Sequence, residues 1–525
     1  MKRSGQNPRT SMIWNLWRQA RYFAILATAA VCAPALSFSQ TLTKGPYLVA
    51  PGAREMIIRW ESDAQVECAV NYGLDSTHTE KKAASLRAKK GGGFLYEATL
   101  DGLKPGSRYF YRVTSGKKKS AMASFTAFTE KQPTLHFVAM GDSRSNPDIF
   151  AGIINNLQKD EPDFIISMGD LVERGGDLSE WKAYYFDVAG KVIDHIPLVS
   201  TLGDHEGDDD NGELFRHFLR TEQPPEKLWF SFDYGDAHFV CLDYRHPDSE
   251  EMAKWFVRDI SASNARWKFV YLHRPAYNLG GHRSTWGRDR WPALFREQRV
   301  DIVFAGHSHQ YERFYPLRPQ QDPDSWPVTY LTTGGAGAEL YEVTQHPSLA
   351  AAESVNHFVD VVISGDTLRL KAVRKDHSLL DEFTIIKQGD GHSAAYRAVV
   401  QPQESVDLLT SLCSAISLAL NYVPFEAYAA PCVMTLKSCV NEDVPFRVEL
   451  AENSAPAYKM DAVTGVLKAR EEKQLTLKIF SNTEFITISG WGEMSPELRL
   501  KLVYTYNSRV ETVIGGRAEY WPSVY

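Results

Sequence analysis

Five stretches of this 525-residue chain share one plan. They are "LHFVAMGDSR" (135–144), "DFIISMGDLVERGG" (163–176), "HIPLVSTLGDHE" (195–206), "WKFVYLHRPAY" (267–277) and "VDIVFAGHSHQYER" (300–313). Each is a short apolar run rich in Val, Ile, Leu or Phe that ends in a polar turn, usually with a glycine. Runs without polar alternation are strands buried on both faces. Helix-like segments lie between them, at 147–158 and 288–298. Strand–helix alternation of this kind predicts an α/β domain. In such folds the ligands gather beyond the carboxyl ends of the strands. The polar residues at the five ends are therefore expected to meet. They are Asp142, Asp170, Asp204, His205, His273, His307 and His309.

The chain is too long for one ordinary domain. Residues 41–128 alternate like strands, as in "EMIIRWES" (55–62) and "ECAVNYG" (67–73), with a turn at Pro105-Gly106 and Tyr109, Tyr111 and Val113 at period two. That span suits a small β-sandwich whose aromatics are core. Residues 134–387 hold the α/β block. Residues 392–525 read as a small β-rich domain: "SVDLLTSLCSAISLALNYV" is helical in flavour, and "PFRVELA", "KQLTLKIFS", "FITISGW" and "LRLKLVYTY" read as strands. The expected fold is thus multidomain, with an N-terminal β-sandwich, a central α/β domain and a C-terminal β-rich domain.

Residues 1–39 open with Lys2, Arg3, Arg9, Arg18 and Arg21, continue with an apolar stretch from Tyr22 to about Leu36, and close on small residues. This is the layout of a secretory signal peptide, with an uncleaved anchor as the alternative. It predicts export to the periplasm or the extracellular space, with no stable membrane insertion after cleavage. Export permits disulfides, and Cys432–Cys439 is the plausible bridge; Cys68 and Cys241 are expected as buried thiols. The net charge of -7 offers no basic excess to neutralise phosphates, which argues against nucleic acid as a partner.

Three carboxylates and several imidazoles suit two borderline metal ions such as Zn, Fe or Mn. The order GD, GD, G-[N/D]-H-E, a lone His, then GHxH resembles the calcineurin-like metallophosphoesterase superfamily. "AGHSHQYER" and "LHRPAY" resemble purple acid phosphatases more narrowly, as does "LDGLKPGSRYFYRV", which is similar to fibronectin type III-like domains; that family carries such a domain ahead of its catalytic one. The resemblance covers about residues 44–387. It implies a four-layer metallophosphoesterase sandwich, with Asp142 and His309 on a first metal, Asp170 bridging, and Asp204, His273 and His307 on a second. It implies that His205 lies beside the substrate phosphate, and that His282 in "NLGGHRSTW" faces the substrate as well.

Three positions depart from the pattern. Purple acid phosphatases have a tyrosine where this chain has Glu173. Many superfamily members have a ligating histidine where it has Arg144, a cation that cannot ligate. Glu173 and Asn146 are available to complete the first metal's shell, or to hydrogen-bond nearby. Arg144 either clamps phosphate or forms a salt bridge to the acidic site. The third departure is Asp204, where the family usually has asparagine. Two divalent ions (+4), three aspartates (-3) and a hydroxide (-1) sum to zero, against +1 with asparagine, so weaker activation of bound water or use of a trivalent ion is expected. The following "DDD" at 208–210 reads as a solvated turn.

The expected function is that of a metal-dependent phosphoric ester hydrolase acting on a small phosphorylated substrate, with His205, His282 and Arg144 as catalytic candidates. The alternative is a catalytically weak exported binding protein that keeps the fold.

Overall fold

The computed structural model describes residues 42–518, apart from 50–51, 53, 78–79, 130–133, 221–226, 319–324, 344–347, 389–390, 395–406, 409–429, 453, 455–457 and 482–497. The signal-peptide reading, Cys413, the helical reading of 405–423 and the strand reading of "FITISGW" fall outside these residues or almost entirely so. The side chain of Cys432, and with it the expected bridge, also lies outside them.

The N-terminal block is two antiparallel sheets face to face. One contains Leu42–Val49, Glu55–Ser62, Gly93–Asp101 and Ser85–Lys90; the other is built on Cys68–Gly73 and Arg108–Ser115. Alternate residues point inward, so Ile58, Trp60, Tyr96, Tyr109, Tyr111 and Val113 form one buried core, as the period-two pattern predicts. The sandwich is tied to the catalytic block. Buried Arg59 donates to the carbonyls of Phe218 and Arg220, each at 2.8 Å, and the Tyr111 hydroxyl donates to the Asp194 carbonyl.

The central block stacks two seven-stranded sheets. Strands β1 (Thr134–Met140), β2 (Phe164–Ser167) and β3 (Leu198–Ser200) pair in parallel in the first. Strands β4 (Trp267–Leu272) and β5 (Ile302–Ala305) pair in parallel in the second. Alternation along β1 explains why these runs are apolar throughout. Phe137 and Ala139 point between the sheets, while Val138 and Met140 point to the outer, helix-covered face. The inter-sheet core is aromatic: Phe137 packs edge-on against Phe239, Phe269 and Phe304, with centroids 5.1–6.0 Å apart. The helices Pro147–Leu157 and Glu250–Ala262 belong to the outer layers, giving the four-layer α/β sandwich.

The C-terminal region is β-rich as expected. Ala430–Lys437, Glu472–Ser481 and Tyr458–Met460 form one sheet; Val463–Leu467, Val444–Leu450, Leu498–Tyr506 and Arg509–Ala518 form another. Cys68 and Cys241 are buried thiols.

Candidate metal centre

All five strand ends deliver their polar residues to one place, where both sheets terminate. The backbone there is unusual. Asp142, Asp170 and His307 adopt φ values of 60°, 54° and 67°. Left-handed geometry at non-glycine residues is uncommon, costs about 1–3 kcal/mol each and concentrates at functional sites. Each of the three follows a glycine, and each turn folds its side chain back over the sheet end. The turns also interlock. A Cβ on Gly203 would overlap Asp170 N and Oδ1, and one on Gly306 would come within 2.5 Å of Asp142 Oδ2.

Two groups of ligand atoms lie within 4.8 Å of one another: Asp204 with His273 and His307, and Asp142 with Asp170 and His273. His273 Nε2 is 3.1 Å from Asp204 Oδ1 and 3.5 Å from Asp170 Oδ1, and His307 Nδ1 is 3.0 Å from Asp204 Oδ2. The other ring nitrogen of His273 donates to the Met168 carbonyl at 2.6 Å, and His309 Nδ1 donates to the Glu339 carbonyl at 2.6 Å. Such bonds fix the tautomer and leave Nε2 facing the centre. The His307 N–H reaches both oxygens of Asp142 at 3.0 Å, and His309 Nε2 is 3.7 Å from Asp142 Oδ1.

The electrostatics are those of a cation site. Burial alone would discharge His273, but Asp170 and Asp204 around it push its pKa up to about 10. A cation is wanted at that position, and a metal ion satisfies the same carboxylates while leaving the imidazole neutral to ligate. His307 and His309 are driven down, to about 4 and about 3, by burial; at His309 the Arg144 charge adds to it. Both are therefore neutral donors at ordinary pH. Burial raises Asp204, yet hydrogen bonds from His273, His307 and Arg274 outweigh it and hold this carboxylate far below its usual range.

Arg274 changes the charge count made from the sequence. Its Nε and Nη2 grip both oxygens of Asp204 at 3.0 and 2.8 Å. The extra negative charge of aspartate over asparagine is thus met by a guanidinium in bidentate contact. With the Arg274 charge added, the cluster sum of zero returns to +1, so Asp204 does not leave the centre more neutral than asparagine would.

Arg144 points into the centre with 13% of its side chain exposed. Nη1 donates to Glu173 Oε2 at 2.7 Å, Nε approaches Asp170 Oδ2 at 3.3 Å, and Nη2 is 3.4 Å from His309 Nε2. Glu173 is bound to Arg144 and the Ser145 hydroxyl. Asn146 caps the helix Pro147–Leu157 through the Ile149 N–H.

His205 donates from Nδ1 to the Glu173 carbonyl at 2.6 Å, and its Nε2 lies 3.9 Å from Asp170 Oδ2. The structure also brings in His282, whose ring stacks on His307 with centroids 4.2 Å apart. Tyr341, not anticipated from sequence, stacks on His309 at 4.4 Å and an angle of 11°.

Two buried glutamates were also missed. Glu206 accepts the backbone N–H groups of Asp170, Leu171, Val172 and Gly203, at 2.7–3.2 Å. It clamps the bridging-aspartate turn to the Asp204 turn. Glu312 does the same for the His282 loop, accepting from Leu279, Gly280 and the Gln310 amide. Burial, joined at Glu206 by the charge of Asp170, pushes both carboxyls up to about 7. The available signal was their place in "GDHE" and "HQYER", one and three residues beyond a histidine of the site.

The acids at 208–210 lie on a helix rather than a turn, with Asp208 and Asp209 exposed to solvent as expected. Asp204–Asp210 is a short helix. Asp208 accepts from the Tyr244 hydroxyl, Asp209 from the Gly176 N–H, and Asp210 from the N–H groups of Glu213 and Leu214, capping the next helix.

Residues 135–311 match the family described as calcineurin-like phosphoesterase, and residues 44–127 match the purple acid phosphatase N-terminal domain. The chain is 25% identical to a mouse (Mus musculus) protein described as acid phosphatase type 7, over 65% of this chain and 89% of that protein. It is also 25% identical to an Arabidopsis thaliana protein described as probable inactive purple acid phosphatase 27, over 47% of this chain but only 50% of the plant protein. Among solved structures, the purple acid phosphatase of yellow lupin (Lupinus luteus) seeds superposes with a TM-score of 0.58 at 18% identity, covering 66% of this chain and 75% of the other, a likeness of fold.

Proposed function

We propose that this chain, whose residues 135–311 match the calcineurin-like phosphoesterases and whose residues 44–127 match the purple acid phosphatase N-terminal domain, is a phosphoesterase of that kind and hydrolyses small phosphate monoesters with the help of bound metal. One observation carries the reading: three aspartates and three histidines from five strand ends converge, with the tautomers of His273 and His309 fixed by backbone carbonyls. A shell prepared in this way, on strained backbone, is more than a binding domain needs, which sets the alternative of a catalytically weak binding protein aside. Asp204, His273 and His307 would hold a divalent ion. When bound, it supplies Lewis acidity at the phosphate oxygens and an acidified water.

The side chains do the rest. With Nδ1–H committed to the Glu173 carbonyl, His205 presents Nε2 to the site. In the imidazolium form Nε2 also carries a proton, which it gives, as a proton or a hydrogen bond, to the leaving oxygen, a contribution of typically about 10²–10⁴-fold. His282, stacked on His307 and exposed, lies beside the ligand cluster where it can meet the substrate. The Arg274–Asp204 pair fixes the orientation of a ligand carboxylate.

The test is turnover of an aryl phosphate monoester with Mn(II), Zn(II) or Fe(II) added to metal-free protein. Turnover lost in both Asp170→Ala and His307→Ala supports the proposal; folded, metal-loaded protein that turns over no ester removes it. The reading includes export, supported by the basic-then-apolar layout of residues 1–39. N-terminal sequencing of the mature protein tests it, and an intact Met1 in a cytoplasmic fraction would contradict it.

A further inference from the structure

We propose that Arg144 takes the place of the first metal ion, and that the centre holds one divalent cation with a guanidinium as its fixed partner. The proposal rests on the metal-dependent reading above and concerns how many ions that site accepts.

Two-ion occupancy needs two sets of donors. The two ligand groups here share one atom. His273 appears in both, and with Nδ1 bonded to the Met168 carbonyl only its Nε2 can ligate. A cation held by Asp204, His273 and His307 claims that atom. Asp142, Asp170 and His309 then remain for a second ion.

That space is already taken by a cation. The guanidinium of Arg144 lies 3.3 Å from Asp170 Oδ2 and 3.4 Å from His309 Nε2, two of the three donors concerned. Glu173 and Ser145 hold it from the other side, since Nη1 donates to both, at 2.7 and 3.0 Å. The oxygens of Asp170 are divided accordingly. Oδ1 faces His273 and receives the His205 N–H at 3.1 Å, while Oδ2 faces Arg144. This is the division expected of a bridging carboxylate, with a guanidinium on one side of the bridge. A divalent ion seated among the same donors would lie in contact range of a permanent positive charge, because arginine does not deprotonate in proteins. It would have to evict an arginine held by four groups.

The substitution has a chemical consequence. A guanidinium donates hydrogen bonds and charge to phosphate oxygens in a fixed planar fork. It has no vacant coordination position and cannot acidify a water. Lewis acidity would therefore come from the Asp204–His273–His307 side alone.

The experiment counts ions. Metal-free wild type, Arg144→Ala, Arg144→His and His307→Ala are titrated with Zn(II) and Mn(II), and bound metal is measured by calorimetry and by elemental analysis after gel filtration. One ion per chain in wild type, two in Arg144→His, and a large loss in His307→Ala are expected. Mn(II)-loaded wild type should show the EPR spectrum of an isolated ion, and Arg144→His the exchange-coupled spectrum of a pair. Two tightly bound ions in wild type, or a coupled Mn(II) pair, overturn the proposal and leave the phosphoesterase reading standing. A folded Arg144→His that still binds one ion overturns it too. Folded wild type that binds no ion removes both. The wild-type count and spectrum decide even where a variant fails to fold.

Discussion

Replacing Glu206 by glutamine tests whether the metal turns are held by one buried carboxylate. Its two oxygens accept four backbone N–H groups: Oε1 those of Leu171 and Val172, Oε2 those of Asp170 and Gly203. Glutamine keeps the shape and one acceptor oxygen. The other oxygen becomes an NH₂, which cannot accept, so two buried N–H groups lose their partner. Each such loss costs about 1–3 kcal/mol, giving roughly 2–6 kcal/mol in total. For a domain of this size a mid-range loss of about 4 kcal/mol lowers Tm by roughly 8–16 °C. Asp170 and Asp204 lie on the two turns that Glu206 joins, so metal affinity should fall with stability. Differential scanning calorimetry at pH 8, with and without added Zn(II), measures both. A melting temperature within about 2 °C of wild type, with unchanged metal affinity, would refute the clamp.

Three further outcomes follow from the geometry. His238 sits between Asp233 and Asp259 at 2.8 and 3.0 Å; burial works against its charge, yet the two acids raise its pKa to about 9. A raised histidine contributes fully below its unfolded value of about 6.5 and loses that contribution as pH climbs through 9, up to about 3 kcal/mol in all. Melts of wild type should therefore fall between pH 6.5 and 9 more steeply than those of His238→Gln; parallel curves contradict this. Gly203→Ala drives a methyl into Asp170 N and Oδ1 and should cost at least about 1–3 kcal/mol, read as a lower denaturation midpoint with reduced metal content. His205→Gln should retain metal but lose about 10²–10⁴-fold in kcat on a monoester; an unchanged kcat removes His205 as the proton donor.

The sandwich strands, the buried α/β strands and the convergence of the five strand ends were legible because each depends on local pattern. Apolar runs without alternation mean strands covered on both faces, and parallel strands end together. The ligand types followed, since Asp and His after a strand-ending glycine have nowhere to point but the shared edge. Three things were misread or missed. The acids at 208–210 are exposed in part as expected, but the segment is helical, and the Gly176 N–H on Asp209 and the Tyr244 hydroxyl on Asp208 come from 33 and 36 residues away in the chain. Glu206 and Glu312 drew no notice, since an acid is taken as solvated until the fold buries it. Asp204 was given a charge with no counter-ion because Arg274 is 70 residues away in the chain.

The sequence by itself determined which residue types stand at the strand ends, and so the chemistry available to this protein. Only the tertiary structure decided which charges meet. Arg274 on Asp204 and Arg144 between Asp170, Glu173 and His309 are contacts between turns of different strands, often of different sheets. Coulomb energy depends on distances of a few ångströms, and the chain acquires those distances only when its two sheets stack.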